Sequence, residues 1–248
     1  MTLKNIEEYT ADRRRFVIIV DSNDRNRQFL STLLTRFEYT ACAVGTVKEA
    51  LEIVAAVSPV LIVTARQLDD GNDALGLIRS IRSAAPKCTA PVIVLSAKPD
   101  PAFERACLNA GALTFLHAPV TFENLYRVIQ VAIEPIPRMT IRMSTDLPVT
   151  INGTRRDERV RRISENGAYV LTSSLHPRNT KLPVRIKLSE CVVSAEAVVI
   201  YVKQSDENGQ SGMGLLFERI SPEDQQRIRL FLRGEMSKAA IGRQENKV

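Results

Sequence analysis

The sequence predicts two domains of different class: a doubly wound α/β domain with a five-stranded parallel sheet, then a small six-stranded antiparallel β-barrel with a C-terminal helix. Three observations predict them. Over residues 16–133, short apolar runs alternate with segments of helical periodicity, as expected for parallel strands covered on both faces. Glu134-Pro135-Ile136-Pro137 then ends the last helix with two prolines, which cannot continue it. Beyond that point short strands and turn signals succeed one another until a single helix closes the pattern. At 248 residues the chain has room for both cores, because single domains cluster near roughly 100–150 residues.

In the first domain the strands are read at Phe16–Val20, Thr40–Val44, Val60–Val63, Pro91–Leu95 and Leu113–Leu116. Between them, apolar residues recur at helical spacing in four groups: Phe29, Leu30, Leu33, Leu34 and Phe37; Ala50, Leu51, Val54 and Val57; Leu75, Leu77, Ile78 and Ile81; and Leu125, Val128, Ile129 and Ala132. In the second domain strands are expected at Leu147–Ile151, Glu158–Ile163, Ala168–Thr172, Leu182–Leu188, Ser194–Lys203 and Gly214–Phe217, with turns at Asn152-Gly153 and Asn208-Gly209. Ser221-Pro222-Glu223-Asp224 supplies an N-cap, a proline at the first helical position and acids in the first turn. The closing helix is expected to end near Leu232. The resulting division is 14–133, a linker at 134–137, 138–233 and a tail at 234–248.

Composition narrows the function classes. No apolar run approaches the roughly 20 residues that span a bilayer. Arg13-Arg14-Arg15 before FVIIV gives too short an apolar stretch for a secretory leader, so a cytoplasmic location is expected. Cys42, Cys88, Cys107 and Cys191 stand far apart, and His117 and His176 are the two histidines, so no metal site of usual spacing is expected. The net charge of +6 is uneven: residues 1–137 hold 15 basic and 15 acidic side chains, residues 138–233 hold 16 and 11. Five arginines crowd into Arg155–Arg162. Nucleic acid is nevertheless not the expected partner, since no helix-turn-helix pattern follows the first domain and the chain has no tryptophan for base stacking. With no Ser/His/Asp set, carboxylate pair or glycine-rich phosphate loop, an enzyme is not expected either.

Doubly wound sheets place ligands at the carboxyl ends of their strands. Here those ends carry Asp21-Ser22, then Thr64-Ala65-Arg66, then Ser96-Ala97, and His117-Ala118-Pro119. With VDSN, LSA, AGALTFLHAP and the LxLIxxIR helix, residues 14–133 resemble the receiver domain of two-component response regulators. The resemblance implies an acidic pair for Mg²⁺, a phosphorylated aspartate, a Ser/Thr hydroxyl and a lysine, which together carry phosphoryl transfer. Asp21 matches the first acid and Ser96 the hydroxyl. Ser22 stands for the second acid and Ala118 for the lysine. The acceptor position falls on Ala65 or Arg66, with no carboxylate between Val60 and Leu68, so a degenerate, phosphorylation-incompetent receiver is expected. Asp69 and Asp70 are read as turn residues. Arg66 either pairs with Asp21, standing in for a metal-bound state, or reaches solvent.

In the second domain, Arg138 and Arg142 fit RxxxR, while Ser164 and Gly167 fit the end of a [DN]xSxxG element within ISENGAYV. With MGLLFERISPEDQQRIRLFL at the end, residues 138–233 resemble a PilZ domain. That resemblance implies a barrel that binds cyclic di-GMP through Arg138, Arg142, Ser164 and Gly167. Arg162 occupies the family's Asp/Asn position. Guanine N1–H and N2–H₂ need an acceptor there, whereas arginine offers donors only; Glu165 or Asn166 supplies the acceptor, or Arg162 reads the O6/N7 edge. Two readings stay open: a cyclic di-GMP-responsive adaptor coupling a silent receiver to the barrel, and a ligand-independent protein-interaction scaffold. Both involve an unidentified protein partner, and receiver domains often dimerise, so a homodimer is among the implied assemblies.

Overall fold

The computed structural model describes residues 15–69, 71–85, 88–135, 137, 140–153, 158–204 and 210–241. The chain separates into two compact units, Met1–Met139 and Thr140–Val248.

In the first unit, strands β1 (Phe16–Val20), β2 (Thr40–Val44), β3 (Leu61–Ala65), β4 (Val92–Ser96) and β5 (Thr114–His117) alternate with helices α1 (Asp24–Arg36), α2 (Val47–Ala56), α3 (Ala74–Ala84), α4 (Pro101–Asn109) and α5 (Phe122–Ile133). All strands pair in parallel in the order β2-β1-β3-β4-β5. Each of the five residues of β1 is buried, so its continuous apolar run follows from helices covering both faces. Each helix begins at a side chain that accepts a bond from its open first turn: Asn23, Thr46, Asp73, Asp100 and Thr121. At Thr46 the bond is reciprocated by Glu49 in a capping box.

Three strands start and end later than the apolar runs suggest. Strand β3 reaches Ala65 because Thr64, fully buried and paired with Val94, continues the ladder despite its hydroxyl. At β4, Pro91 lacks an N–H and contributes only its carbonyl, to Ile62; the strand runs instead to Ser96. Likewise β5 runs to His117, opposite Ser96. Helix α4 had no periodic signature because only Cys107 of its nine residues is buried. Its signal was the cap, Asp100-Pro101.

The second unit is a closed antiparallel barrel in the order β10-β11-β8-β7-β6-β9. Its strands are β6 (Met143–Ile151), β7 (Arg159–Ser164), β8 (Gly167–Leu171), β9 (Lys181–Lys187), β10 (Val192–Lys203) and β11 (Gly212–Ile220), followed by helix α6 (Pro222–Ile241). Strand β9 alternates strictly, with Leu182, Val184 and Ile186 inside and Lys181, Arg185 and Lys187 outside, as period-two geometry requires. Asn152 and Gly153 both adopt positive φ, so the expected turn is present there; the turn at Asn208-Gly209 lies outside the described residues. Helix α6 passes the expected end at Leu232 and continues to Ile241, taking in residues 234–241 of the expected tail. Ile228, Leu232 and Met236 are buried one turn apart, so the stripe that holds the helix continues past Leu232. Asp224 fixes its start by accepting from Ser194 N at 3.1 Å on β10.

Two predictions follow from this packing. Ile78 is fully buried in the core of the first unit, so Ile78→Ala should lower the unfolding free energy of that unit by about 2–5 kcal/mol in urea titration; a loss below that range would show a loosely packed core. Burial pushes the Cys107 thiol up to about 11, with Asp73 adding to the effect. The thiolate is the reactive form. Labelling of the folded protein with maleimide at about pH 8 should therefore modify half-exposed Cys191 well before Cys107, as read by peptide mass spectrometry, and the reverse order would contradict the burial.

Candidate functional site

At the carboxyl edge of the parallel sheet, Asp21 follows β1 directly and is 4% exposed. Its Oδ1 accepts from Asn23 N at 2.8 Å and its Oδ2 from Asn26 Nδ2 at 3.0 Å. Both donors are neutral and belong to the start of α1. Arg27 turns its guanidinium to the backbone instead, donating to the carbonyls of Asp21 at 2.6 Å and Ser22 at 2.9 Å. These bonds tie the start of α1 to the end of β1 beside a cavity.

That cavity, about 800 Å³, is bordered by Asp21, Ser22, Ala65, Arg66, Ser96 and Ala118. All six positions expected at this edge therefore meet at one opening. Lys98 also lines it and was missed, because it lies two residues beyond the motif serine in a loop. The Ser96 hydroxyl donates to the Lys98 carbonyl at 2.7 Å. Ala65 ends β3 and Arg66 begins the following loop.

Arg66 does not pair with Asp21, nor does it extend freely into solvent. Its Nη2 lies 2.6 Å from Asp100 Oδ2, and its guanidinium sits 4.6 Å from the centre of the Phe103 ring. The reason is local. Asp21 already spends both oxygens on asparagine donors, whereas the N-cap of α4 presents an ionised carboxylate beside an aromatic face, a combination suited to a planar cation. The Phe103 backbone N–H and then Arg66 hold the Asp100 carboxyl below its ordinary range. Asp69 sits in the tight turn closed by Leu68 N to Asn72 O at 2.9 Å, while Asp70 lies outside the described residues. His117 Nε2 approaches Glu104 Oε1 at 3.4 Å and its ring stacks beside Phe115.

A second opening, a groove of about 250 Å³, lies on the outer wall of the barrel. Arg142, Arg162, Ser164 and Gly167 all line it. Arg138 lies outside the described residues. Ser164 ends β7, and its hydroxyl donates to Gly167 O at 3.3 Å. A side chain at Gly167 would overlap the backbone carbonyl of Leu215, so the turn between β7 and β8 can lie against β11 only with glycine there. The sequence Glu165-Asn166 in that turn faces the closing helix. Glu165 Oε2 bonds to Arg229 Nε at 2.9 Å, Asn166 Oδ1 accepts from Gln225 Nε2 at 3.4 Å, and Asn166 O accepts from Phe217 N at 2.9 Å.

The arginine run divides between two sets of partners. Arg159 and Arg161 pair with Asp146 at 2.9 and 3.0 Å and hold its carboxyl below the ordinary range. Arg162 faces the groove, with its guanidinium 5.7 Å from the centre of the Tyr169 ring. The register shift between Val160 and Arg162 lets two successive residues, Arg161 and Arg162, both stay exposed between buried Val160 and Ile163. Arg155 and Arg156 lie outside the described residues. Sequence reasoning missed Tyr169, Tyr201 and Gly214 in the groove wall. Their signal was faint: a tyrosine within each of two strands and the spacing Gly212-Met213-Gly214, which leaves one face of β11 bare.

The family model of the response regulator receiver domain matches residues 17–130, and that of the PilZ domain matches residues 136–234. Among curated proteins, the two-component response regulator ORR7 of Oryza sativa subsp. japonica is 27% identical over 113 residues, 46% of this chain and 54% of that protein. The sensory/regulatory protein RpfC of Xanthomonas campestris pv. campestris is 26% identical over 149 residues, 57% of this chain and 20% of that protein. The matched stretches thus span about half the length of the first relative and a fifth of the second. Among solved structures, a two-component response regulator from Clostridium difficile is similar at a TM-score of 0.45 and 22% identity, covering 48% of this chain and 96% of that one. The chemotaxis protein CheY4 of Vibrio cholerae gives 0.45 and 20%, covering 47% and 97%. The two matched families, in this order and on these two folded units, identify the chain as a response regulator receiver domain followed by a PilZ domain.

Proposed function

We propose that the chain is a cyclic di-GMP-responsive signalling adaptor of the cytoplasm, in which the barrel groove takes the ligand and the receiver edge has lost phosphoryl transfer. The domain limits that go with this reading are 14–133 and 138–233, with 134–137 between them. The observation that carries it is the meeting of Arg142, Arg162, Ser164 and Gly167 on one groove of a PilZ barrel. A cyclic dinucleotide offers two phosphates and two purines. Guanidinium groups bind phosphate bidentately, bind the guanine O6/N7 edge and stack on purine faces, and two of them border this groove. On the receiver side, an edge that offers Ala65 and Arg66 where the acceptor carboxylate belongs supports the loss of phosphorylation.

One group of contacts favours the second reading, a scaffold that binds no ligand. Arg162 has no acceptor for guanine N1–H and N2–H₂, and the two neighbouring acceptors, Glu165 and Asn166, are engaged by Arg229 and Gln225 of the closing helix. A missing charge-assisted bond costs on the order of 1.5–3 kcal/mol, about ten- to a hundred-fold in affinity.

Isothermal titration with cyclic di-GMP separates the two. The receptor reading expects saturable binding that Arg142→Ala weakens at least tenfold, as loss of a charge-assisted phosphate contact would give. It also expects Arg162→Asp, which restores an acceptor, to strengthen binding by about ten- to a hundred-fold. No heat from either the wild type or Arg162→Asp would establish the scaffold reading. For the receiver, incubation with acetyl phosphate and Mg²⁺ should leave the intact mass unchanged; a hydroxylamine-sensitive phosphoryl adduct mapped to Asp21, Asp69 or Asp70 would overturn the loss of phosphorylation.

A further inference from the structure

The outer wall of the barrel carries a flat aromatic surface that the PilZ motif residues do not include. Across four neighbouring strands, Arg162, Tyr169, Gly214 and Tyr201 occupy one continuous row: Arg162 pairs with Tyr169, Tyr169 with Gly214, and Gly214 with Tyr201. Glycine at the centre of the row is what makes it flat. A β-carbon on Gly214 would overlap the Tyr201 ring, and one on Gly212 would stand 2.6 Å from the Tyr169 hydroxyl. The two positions are two residues apart and face the same way, while Met213 and Leu215 between and beyond them point into the core. The tyrosines thus lie down over the bare face of β11, their ring centres 6.1 Å apart and their planes within 13° of parallel.

Burial explains one ring and leaves the other unexplained. Tyr169 is half-covered, bordered by the Arg162 guanidinium. Tyr201 remains 43% exposed, and Leu216, which lines the same groove, is 44% exposed. A large ring held flat by its neighbours and left open on top is organised for a planar partner, because offset stacking needs one accessible face and little loss of side-chain freedom. The adjoining cations, Arg142 and Arg162, call for that partner to carry negative charge. At about 250 Å³, the groove falls below the roughly 300–1,000 Å³ of pockets that enclose a drug-sized ligand. A groove of that size takes part of such a ligand and leaves the rest outside.

We propose that Tyr201, levelled by Gly214 and seconded by Tyr169, is the stacking platform for one guanine base of cyclic di-GMP. The inference rests on the receptor reading of the groove. Stacking is indifferent to what the base edge offers, so the platform supplies affinity that does not depend on an acceptor at Arg162. Base–aromatic stacking of this kind resembles the platforms that hold single-stranded nucleic acids.

The test compares full-length wild type with Tyr201→Ala and Tyr201→Phe in titrations with cyclic di-GMP, with thermal melts to confirm folding. Tyr201→Ala should weaken binding about ten- to a hundred-fold while Tyr201→Phe keeps wild-type affinity. The chain has five tyrosines and no tryptophan, so tyrosine emission reports the same event. Saturating cyclic di-GMP should quench it in the wild type and not in the double variant Tyr169→Phe, Tyr201→Phe. Undiminished binding by Tyr201→Ala overturns the platform and leaves the receptor reading standing. Loss of binding in Tyr201→Phe equal to that in Tyr201→Ala also overturns it, because the hydroxyl would then be the contact. Absence of binding by the wild type overturns both.

Discussion

Close approach of backbone to backbone on the outer face of β11 is the constraint on which the barrel groove depends. At Gly167 the β7–β8 turn presses against the carbonyl of Leu215, and at Gly212 and Gly214 tyrosine rings occupy the space a β-carbon would need. Each glycine loses extra backbone entropy on folding and weakens a strand interior. What offsets that cost is packing across four strands, which brings Ser164, Arg162 and both tyrosines to one surface. The inward face of the same strand is ordinary core, with Met213, Leu215 and Phe217 buried. A period of two lets a single strand serve both purposes.

The receiver edge depends on a different economy. Its polar groups satisfy one another locally: Asp21 with two asparagine donors, Ser96 with the Lys98 carbonyl, Arg27 with the carbonyls of Asp21 and Ser22. The cavity is nonetheless large, because Ala65 and Ala118 place small side chains where the edge would otherwise be filled.

The fold was legible because burial on both faces leaves a continuous apolar run and burial on one face leaves alternation; FVIIV and KLPVRIK display the two patterns. Helix α4 was not legible, since one buried residue cannot make a period, and its cap was the remaining signal. The six receiver-edge positions converge because parallel strands in register must end along one line. The partner of Arg66 could not be read, because Asp100 is 34 residues away and comes close only through the sheet. In the barrel, order along the chain singled out Arg142, Ser164 and Gly167, which line one groove. The tyrosine surface escaped notice because it arises from cross-strand register, and a register shift next to Tyr201 hides it from simple alternation.

Arginine at position 66 has a consequence for time as well as for geometry. A phosphoryl group is added and removed, so a contact made through it lasts as long as the modification. A guanidinium stays charged throughout the physiological range, and the Arg66–Asp100 contact joins the end of β3 to the cap of α4 without any such cycle. Salt concentration weakens a half-exposed pair of this kind, so the strength of the link between strand end and helix cap follows ionic strength.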